Sequence, residues 1–286
     1  MPKISVVIAT KDRPERLKKC LAHIAKQTKQ PYEIVIIDGS STPFDGIKAV
    51  NKWIKIIYKN KKSSMVEARN IGIRHASGDV VLFLDDDAFM ENTYIENLSS
   101  FYDSHNEAGG AEGNIVNENS RRLLARALNF PRFPDREDVM HVRSLHGCNM
   151  SFRKEVFNDF MFDEKLVGYY NDDDEFCGRA SKKYKLFFVP SARLVHDQTK
   201  YGGARIDHYT NYNTLVFNQF YSLSRIRGKD IFDVFNYLFS QVVMIARAFI
   251  FVKKDRHRAI KGILRGYRRI LCATLNGNIT AQIRRL

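Results

Sequence analysis

Two acidic clusters hold the side chains with the most evident chemistry. Asp85-Asp86-Asp87 follows directly on the apolar run Val80-Val-Leu-Phe-Leu84, and Asn171-Asp172-Asp173-Asp174-Glu175 lies four residues before Arg179. Three adjacent carboxylates repel one another and favour a nearby cation. Hard oxygen ligands of this kind suit Mg2+ or Mn2+, with substrate phosphates completing the shell. The competing reading is a solvated acidic loop. The position weighs against it, because the chain has only just left an apolar run. The second cluster offers a general base for a hydroxyl acceptor. Arg179 stands one helical turn beyond Glu175, within pairing distance on a helix. An acidic helix start is also what the helix macrodipole favours without any catalytic role. Taken together, the clusters offer one site for a metal and one for a base.

The elements that must position them alternate strand and helix. Ile4–Thr10, Glu33–Ile37, Ile54–Tyr58 and Val80–Leu84 are short β-branched or apolar runs that read as buried strands. Asp12 and Glu15 bracket Arg13-Pro14 in capping-box spacing, and Leu17, Cys20, Leu21 and Ile24 follow at helical period. Met65–Ala76 reads as a second helix, closed by Ser77-Gly78. Such alternation predicts a mostly parallel sheet with helices on both faces. Ligands then bind outside the carboxyl ends of the strands, where Thr10, Asp38 and Asp85–Asp87 fall. Further on, Ala111–Val116 and Gly147–Arg153 read as strands, and Asn119–Pro134 and Lys154–Asn158 as helical. A helix continues over Arg179–Tyr184, and Leu186–Pro190 and Leu194–His196 are two short strand-like pieces.

The last third of the chain differs in charge. Residues 1–199 hold 30 basic and 28 acidic side chains, whereas residues 200–286 hold 16 and 4, so nearly all of the net +14 lies there. Tyr209–Arg225, Ile231–Val252 and the basic Arg256–Leu271 read as helices. Val234–Ala246 is free of charge but too short to span a bilayer, which needs ~20 apolar residues. Asp233, Asn236, Ser240 and Arg247 share one stripe of that helix, which suits either packing on the preceding domain or lying in a membrane interface. The four cysteines form no CxxC pair, which excludes a disulfide scaffold and suits a reducing compartment. Met1–Lys3 leads straight into the first strand with no signal-peptide pattern.

With these residues in place, the sequence resembles the glycosyltransferase family 2 enzymes. Ile4-Ser-Val-Val-Ile-Ala-Thr-Lys-Asp-Arg13 resembles that family's first strand and turn, and Glu33–Thr42 its second strand and acidic turn. Here Gly39 stands where many members have a second acid. Glu67-Ala-Arg-Asn-Ile-Gly72 resembles a helix start of the family, and Gly78–Asp87 the strand carrying its DXD motif. Gly147–Arg153 resembles the acceptor-side strand, Asp172-Asp173 with Arg179 the Glu-Asp…Arg pattern, and Val189-Pro190 with Val195-His196 the closing segment. The likeness covers residues 3–197, with the motifs in the family's order.

The resemblance implies an α/β chain of GT-A (Rossmann-like) fold, with a mostly parallel sheet flanked by helices and a C-terminal α-helical extension. The catalytic domain would span residues 1–200 and the basic helical region 201–286. It implies inverting transfer of a sugar from a nucleoside-diphosphate donor, UDP- or dTDP-linked, to a hydroxyl of a glycan or lipid-linked saccharide. Thr10, Arg13, Asp38, Arg69, Asp85 and Asp86 would bind the nucleotide sugar. Asp87, Asp85 and His196 would hold Mg2+ or Mn2+, with a satisfied structural histidine as the other reading of His196. Asp173 would be the base, with Asp172 beside it.

A dinucleotide-dependent dehydrogenase is disfavoured, because the turn after Thr10 has no glycine for close approach to a pyrophosphate. A sugar nucleotidyltransferase would want a glycine-rich loop at the same place. Two alternatives stay open: a polyprenyl-phosphate sugar transferase of the same family, and a non-catalytic relative that binds an anionic partner through the basic tail. The tail suits an anionic membrane surface, through residues 247–269, better than nucleic acid, since no recognisable nucleic-acid module surrounds it. The expected location is cytoplasmic, peripheral on the inner face of the cell membrane.

Overall fold

A computed structural model describes residues 1–46, 54–116, 138–166, 171–197, 208–226, 231–250, 252 and 255–275. The helix read over Asn119–Pro134 lies outside them. The described strands are β1 (Ile4–Thr10), β2 (Glu33–Asp38), β3 (Lys55–Asn60), β4 (Val80–Asp85), β5 (Ala88–Met90), β6 (Ala108–Ile115), β7 (Met140–Val142), β8 (Met150–Arg153) and β9 (Lys185–His196). The helices are α1 (Pro14–Ala25), α2 (Met65–His75), α3 (Tyr94–Ser104), α4 (Val156–Asp159), α5 (Asp172–Ala180), α6 (His208–Arg225), α7 (Ile231–Ile250) and α8 (Arg256–Leu275).

The strands form one sheet in the order β3-β2-β1-β4-β8-β6-β9-β5, with β7 on β9. Its first four strands are parallel, and beyond β4 the sheet is mixed: β8 runs antiparallel to β4 and β6, β9 parallel to β6, and β5 antiparallel to β9. Period-two alternation divides the core. Val6, Ile8, Ile34, Ile36, Leu82 and Leu84 face α1 and α3, whereas Val7, Val35, Ile37, Val81 and Phe83 face α2, α5 and α6. Gly72 lets α2 close on β1, because a Cβ there would meet Val7 Cγ1 at 2.2 Å.

Some local readings need correction. No capping box opens α1: the N-cap is Arg13, whose side chain makes no capping bond to the helix's first turn, and Asp12 has φ 53°. The capping box belongs to α2, where Ser64 and Glu67 bond each other's backbone N–H. The helix read through Tyr184 stops at Ala180, whose carbonyl takes the N–H of both Lys183 and Tyr184 as the chain turns into β9. The strand read from Gly147 begins only at Met150, because the preceding backbone turns and Asn149 N–H bonds the His146 carbonyl at 3.1 Å. The two pieces at 186–190 and 194–196 are one strand. Pro190 cannot donate to the ladder, and the register with β6 shifts there, from Gly113↔Val189 to Asn114↔Arg193.

Beyond the sheet, α6 and α8 pack on each other, and Met244 and Ala248 of α7 join Val216 and Ile263 in a third apolar cluster. The window Asp233–Ile250 of α7, mean hydropathy 1.2, is long and apolar enough to cross a membrane by length and composition, with a quarter of it buried.

Candidate active site

The register sets the site's first side. Thr10 pairs with Asp38 and Ala9 with Asp85, so three strand ends open on one edge. A cleft of about 360 Å3 lies there, lined by Thr10, Arg13, Asp38, Ser40 and Phe44 among others. Asp38 is 1% exposed and accepts from Ser40 N–H at 2.9 Å, Phe44 N–H at 3.2 Å and Tyr58 O–H at 2.6 Å. Burial raises its pKa, but these donors outweigh burial and hold it below the ordinary carboxylate value.

The three acids after β4 point different ways. Asp86 turns inward: Thr10 Oγ1 donates to it at 2.7 Å and Arg13 at 2.9 Å. Burial lifts its pKa to about 6 against the pull of those two donors. Arg13 also reaches Asp87, at 3.2 Å. Asp85 and Asp87 turn towards His196, whose Nε2 lies 3.1 Å from Asp87 Oδ1 and 3.9 Å from Asp85 Oδ2. The three ligand atoms lie within 4.8 Å of one another. Pairing of β5 with β9 brings them together, with Ala88 opposite His196. Burial works against the charged imidazole, but Cys148 and the carboxylates of Asp87 and Asp85 lift its pKa to about 11. Two carboxylates and an imidazole so placed suit a divalent cation such as Mn2+, which would satisfy the same negative charge as the imidazolium proton.

The second acidic cluster opens α5, and its members are sorted by their partners. Asn171 has φ 71°, a left-handed start that turns the chain into the helix. Asp172 is 4% exposed and locked to Arg69 by a close ion pair, while Arg69 also donates to the Gly147 carbonyl at 3.1 Å. Asp173 accepts from two backbone amides, Gly147 N–H at 2.9 Å and Asp174 N–H at 3.0 Å. Asp174 takes the Ser144 hydroxyl. Glu175, fully buried, accepts two bonds of 2.7 Å from Arg179, the pair that the i,i+4 spacing predicts. Asp85 N–H bonds the Cys148 carbonyl at 3.2 Å, next to the Gly147 amide that holds Asp173, so the two acidic clusters meet in one site. Desolvation raises the pKa of Asp85 against the pull of Arg69 and His196, and Asp87 and Asp173 raise it further.

Sequence reasoning missed three participants. Glu112, 3% exposed, takes both the N–H of His146 at 2.7 Å and its ring Nδ1 at 2.6 Å, and so holds the turn that presents Gly147 to Asp173. Tyr58 holds Asp38. Asp197 pairs with Arg16 and donates its N–H to the Asp87 carbonyl at 2.9 Å. Only a buried glutamate in an otherwise small-residue strand, Ala-Gly-Gly-Ala-Glu-Gly, was there to signal the first.

A family model for glycosyl transferase family 2 matches residues 5–161, more than half of the chain. The chain belongs to glycosyl transferase family 2. Among curated relatives, the uncharacterized glycosyltransferase YwdF of Bacillus subtilis is 32% identical over 202 residues, covering 68% of this chain and 74% of the relative. The glucosyl-dolichyl phosphate glucuronosyltransferase of Haloferax volcanii is 26% identical, covering 77% and 74%. The solved mannosyltransferase PcManGT of Pyrobaculum calidifontis, in complex with GDP-Man and Mn2+, superposes with TM-score 0.62 at 16% identity, covering 93% of this chain and 87% of that one. At that identity the likeness shows the fold, the GT-A arrangement with helices following the sheet. The protein is therefore a glycosyltransferase, and the dehydrogenase and nucleotidyltransferase readings fall away.

Proposed function

We propose that this family 2 enzyme transfers a sugar, with inversion, from a nucleoside-diphosphate donor to a hydroxyl of a lipid-linked saccharide. The observation that carries this reading is the division of labour between adjacent acids. Asp172 is buried and neutralised by Arg69, whereas Asp173 is held by two backbone amides beside Asp85. A base needs a carboxylate that is oriented yet not neutralised, and among the acids of α5 Asp173 meets that description. Asp85, Asp87 and His196 would hold Mn2+ or Mg2+, which supplies positive charge for the donor's diphosphate. Asp173 takes the proton of the acceptor hydroxyl as that oxygen bonds the anomeric carbon. The bond from that carbon to the departing nucleoside diphosphate breaks on the opposite face, so an α-linked donor gives a β-linked product. Thr10 and Arg13 hold Asp86 back from this centre, and the cleft walled by Asp38 and Phe44 is sized for the nucleoside. The relative from Haloferax volcanii, named for a dolichyl-phosphate-linked acceptor, supports the lipid-linked class. A lipid-linked acceptor would be met at a membrane surface, which we take to be the inner face of the cell membrane.

One experiment tests donor, metal and base together. UDP, GDP, dTDP and CMP are screened by thermal shift with and without Mn2+, on the wild type, Asp87→Ala and Asp173→Asn. A ligand that binds the folded state raises the melting temperature by mass action. The wild type is expected to show a Mn2+-dependent rise with one nucleoside diphosphate, and Asp87→Ala to lose it. Asp173→Asn keeps the rise but loses about 100- to 10,000-fold in kcat for transfer. Near-normal transfer by Asp173→Asn would move the base to Asp172 or Asp174.

A further inference from the structure

Among the described residues, two C-terminal helices carry exposed apolar side chains, and in both cases these fall in line. On α7 the exposed apolar residues include Ile231 (75%), Phe235, Leu238, Val242 (64%) and Phe249. Their spacing of four, three, four and seven puts them on a single stripe of the helix. The other sides of α7 are engaged. Gln241 bonds Gln219 at 2.6 Å and Tyr267 at 2.9 Å, Asp233 pairs with Lys182, and Met244 and Ala248 are buried. On α8, Leu264, Leu271 and Leu275 are 59–76% exposed and likewise share a stripe. Basic side chains flank them: His257, Arg258, Lys261, Arg265 and Arg268 are all exposed. Among the described residues, no carboxylate pairs with any of these five. At the start of α8, His257, Arg258 and Lys261 line a cavity of about 430 Å3 with Tyr209.

We infer that α7 and α8 form a docking surface for an anionic phospholipid bilayer, with the cationic cavity at the start of α8 seating a lipid phosphate. Charge complementarity selects this occupant. Residues 200–286 carry 16 basic and 4 acidic side chains, and the exposed leucines of α8 lie among cations, a residue type whose alkyl stem covers apolar surface while its head stays in water. An exposed apolar stripe with free cations beside it satisfies both halves of an anionic interface, acyl chain and headgroup. The bonds of buried Gln241 to Gln219 and Tyr267, with the surface pair of Asp233 and Lys182, keep α7 lying on the surface rather than crossing it. The biological reason for docking rests on the lipid-linked acceptor proposed above, but the surface itself is tested without any acceptor.

The full chain is floated with vesicles of phosphatidylcholine alone and of phosphatidylcholine mixed with phosphatidylglycerol, at about 0.1 M and about 1 M NaCl. The protein is expected to float with the mixed vesicles at low salt and to be largely released at high salt. The double substitution Arg258→Glu, Lys261→Glu weakens partitioning by about tenfold or more. Leu238→Asp, on the α7 stripe, weakens it at low salt without any change of basic charge. Neither variant touches the active site, so each keeps the wild-type melting temperature and nucleotide-induced shift. Four results overturn the inference. They are no flotation of the wild type, equal flotation with phosphatidylcholine alone, undiminished flotation of the charge-reversed variant, or retention in the bilayer through alkaline carbonate, which would mean that α7 spans it. A dimer in solution that Leu238→Asp dissociates, without vesicle binding, would assign the stripe to a second copy of the chain instead. Vesicle binding by a protein that binds no nucleotide would sink the proposed transferase reaction and leave the docking surface standing.

Discussion

Glu33 stands at the first position of β2 with no exposed surface, far from the cleft, and four donors meet it there. Ser5 Oγ, Ser77 N–H and Ser77 Oγ donate to one carboxylate oxygen, and Lys55 to the other at 2.7 Å. Burial alone would raise its pKa, but these donors bring it from 4.5 down to about 2. The sign of the effect on stability follows from linkage. A carboxyl whose folded pKa is depressed contributes stability that is fully present above its unfolded value. That contribution is lost as pH falls from 4.5 towards 2. Glu33→Gln is therefore expected to flatten the fall in melting temperature across that window. At pH 7 it costs about 1–3 kcal/mol through its weakened bonds. Chemical denaturation of both proteins at several pH values between these limits checks it, and parallel curves would remove Glu33 from the acid response. The same logic of donors deciding the fate of a carboxylate separates Asp172 from Asp173. The two are neighbours in sequence, yet one faces a guanidinium and the other two amides.

At the scale of elements, what the sequence showed depended on how local the physics was. Strands β1, β2 and β4 are short apolar runs, and their carboxyl ends carried Thr10, Asp38 and Asp85 to one edge as the parallel arrangement requires. Arg179 met Glu175 because an i,i+4 pair needs only a helix. Strand β5 was illegible because three residues give no period, and its pairing with β9 is what joins Asp87 to His196, 109 positions away. Glu112 was illegible for the same reason, since its partner is set by the turn before β8. The crossing of α6 and α8 was also hidden, because a basic amphipathic helix does not announce its closest neighbour. There Gly262 does the work of a missing side chain: a Cβ would come 2.3 Å from the Tyr209 carbonyl oxygen. That atom is backbone and cannot rotate away. Gly262→Ala, although a better helix former by about 1 kcal/mol, is expected to destabilise the protein by about 1–3 kcal/mol through overpacking. Urea denaturation reads the sign directly, and a stabilised variant would mean that the two helices separate easily.

At the scale of the whole molecule, the charge of the chain changes near residue 200, but its packing does not. Phe217 and Tyr221 of α6 are buried in the same apolar cluster as Phe83, Phe152 and Phe176 beneath the sheet. Tyr221 O–H donates to Asp163 at 2.7 Å, and Asn171, at the start of the helix bearing Asp173, donates to Ser222 at 2.7 Å. The helical region therefore closes the core on the side where Asp173, the proposed base, is held, and the helix bearing it leans on that region. Calorimetry of the full chain is expected to give one cooperative transition, not a separate melt of the helices. Phe217→Ala removes a fully buried ring and should cost about 3–5 kcal/mol. Because the ring belongs to the shared core, that loss should lower the single transition as a whole and with it the temperature at which nucleotide binding is lost. Two transitions, with nucleotide binding following the one that Phe217→Ala leaves in place, would instead make residues 1–200 an independent folding unit. The C-terminal helices would then be an attachment to the catalytic body and not part of its core.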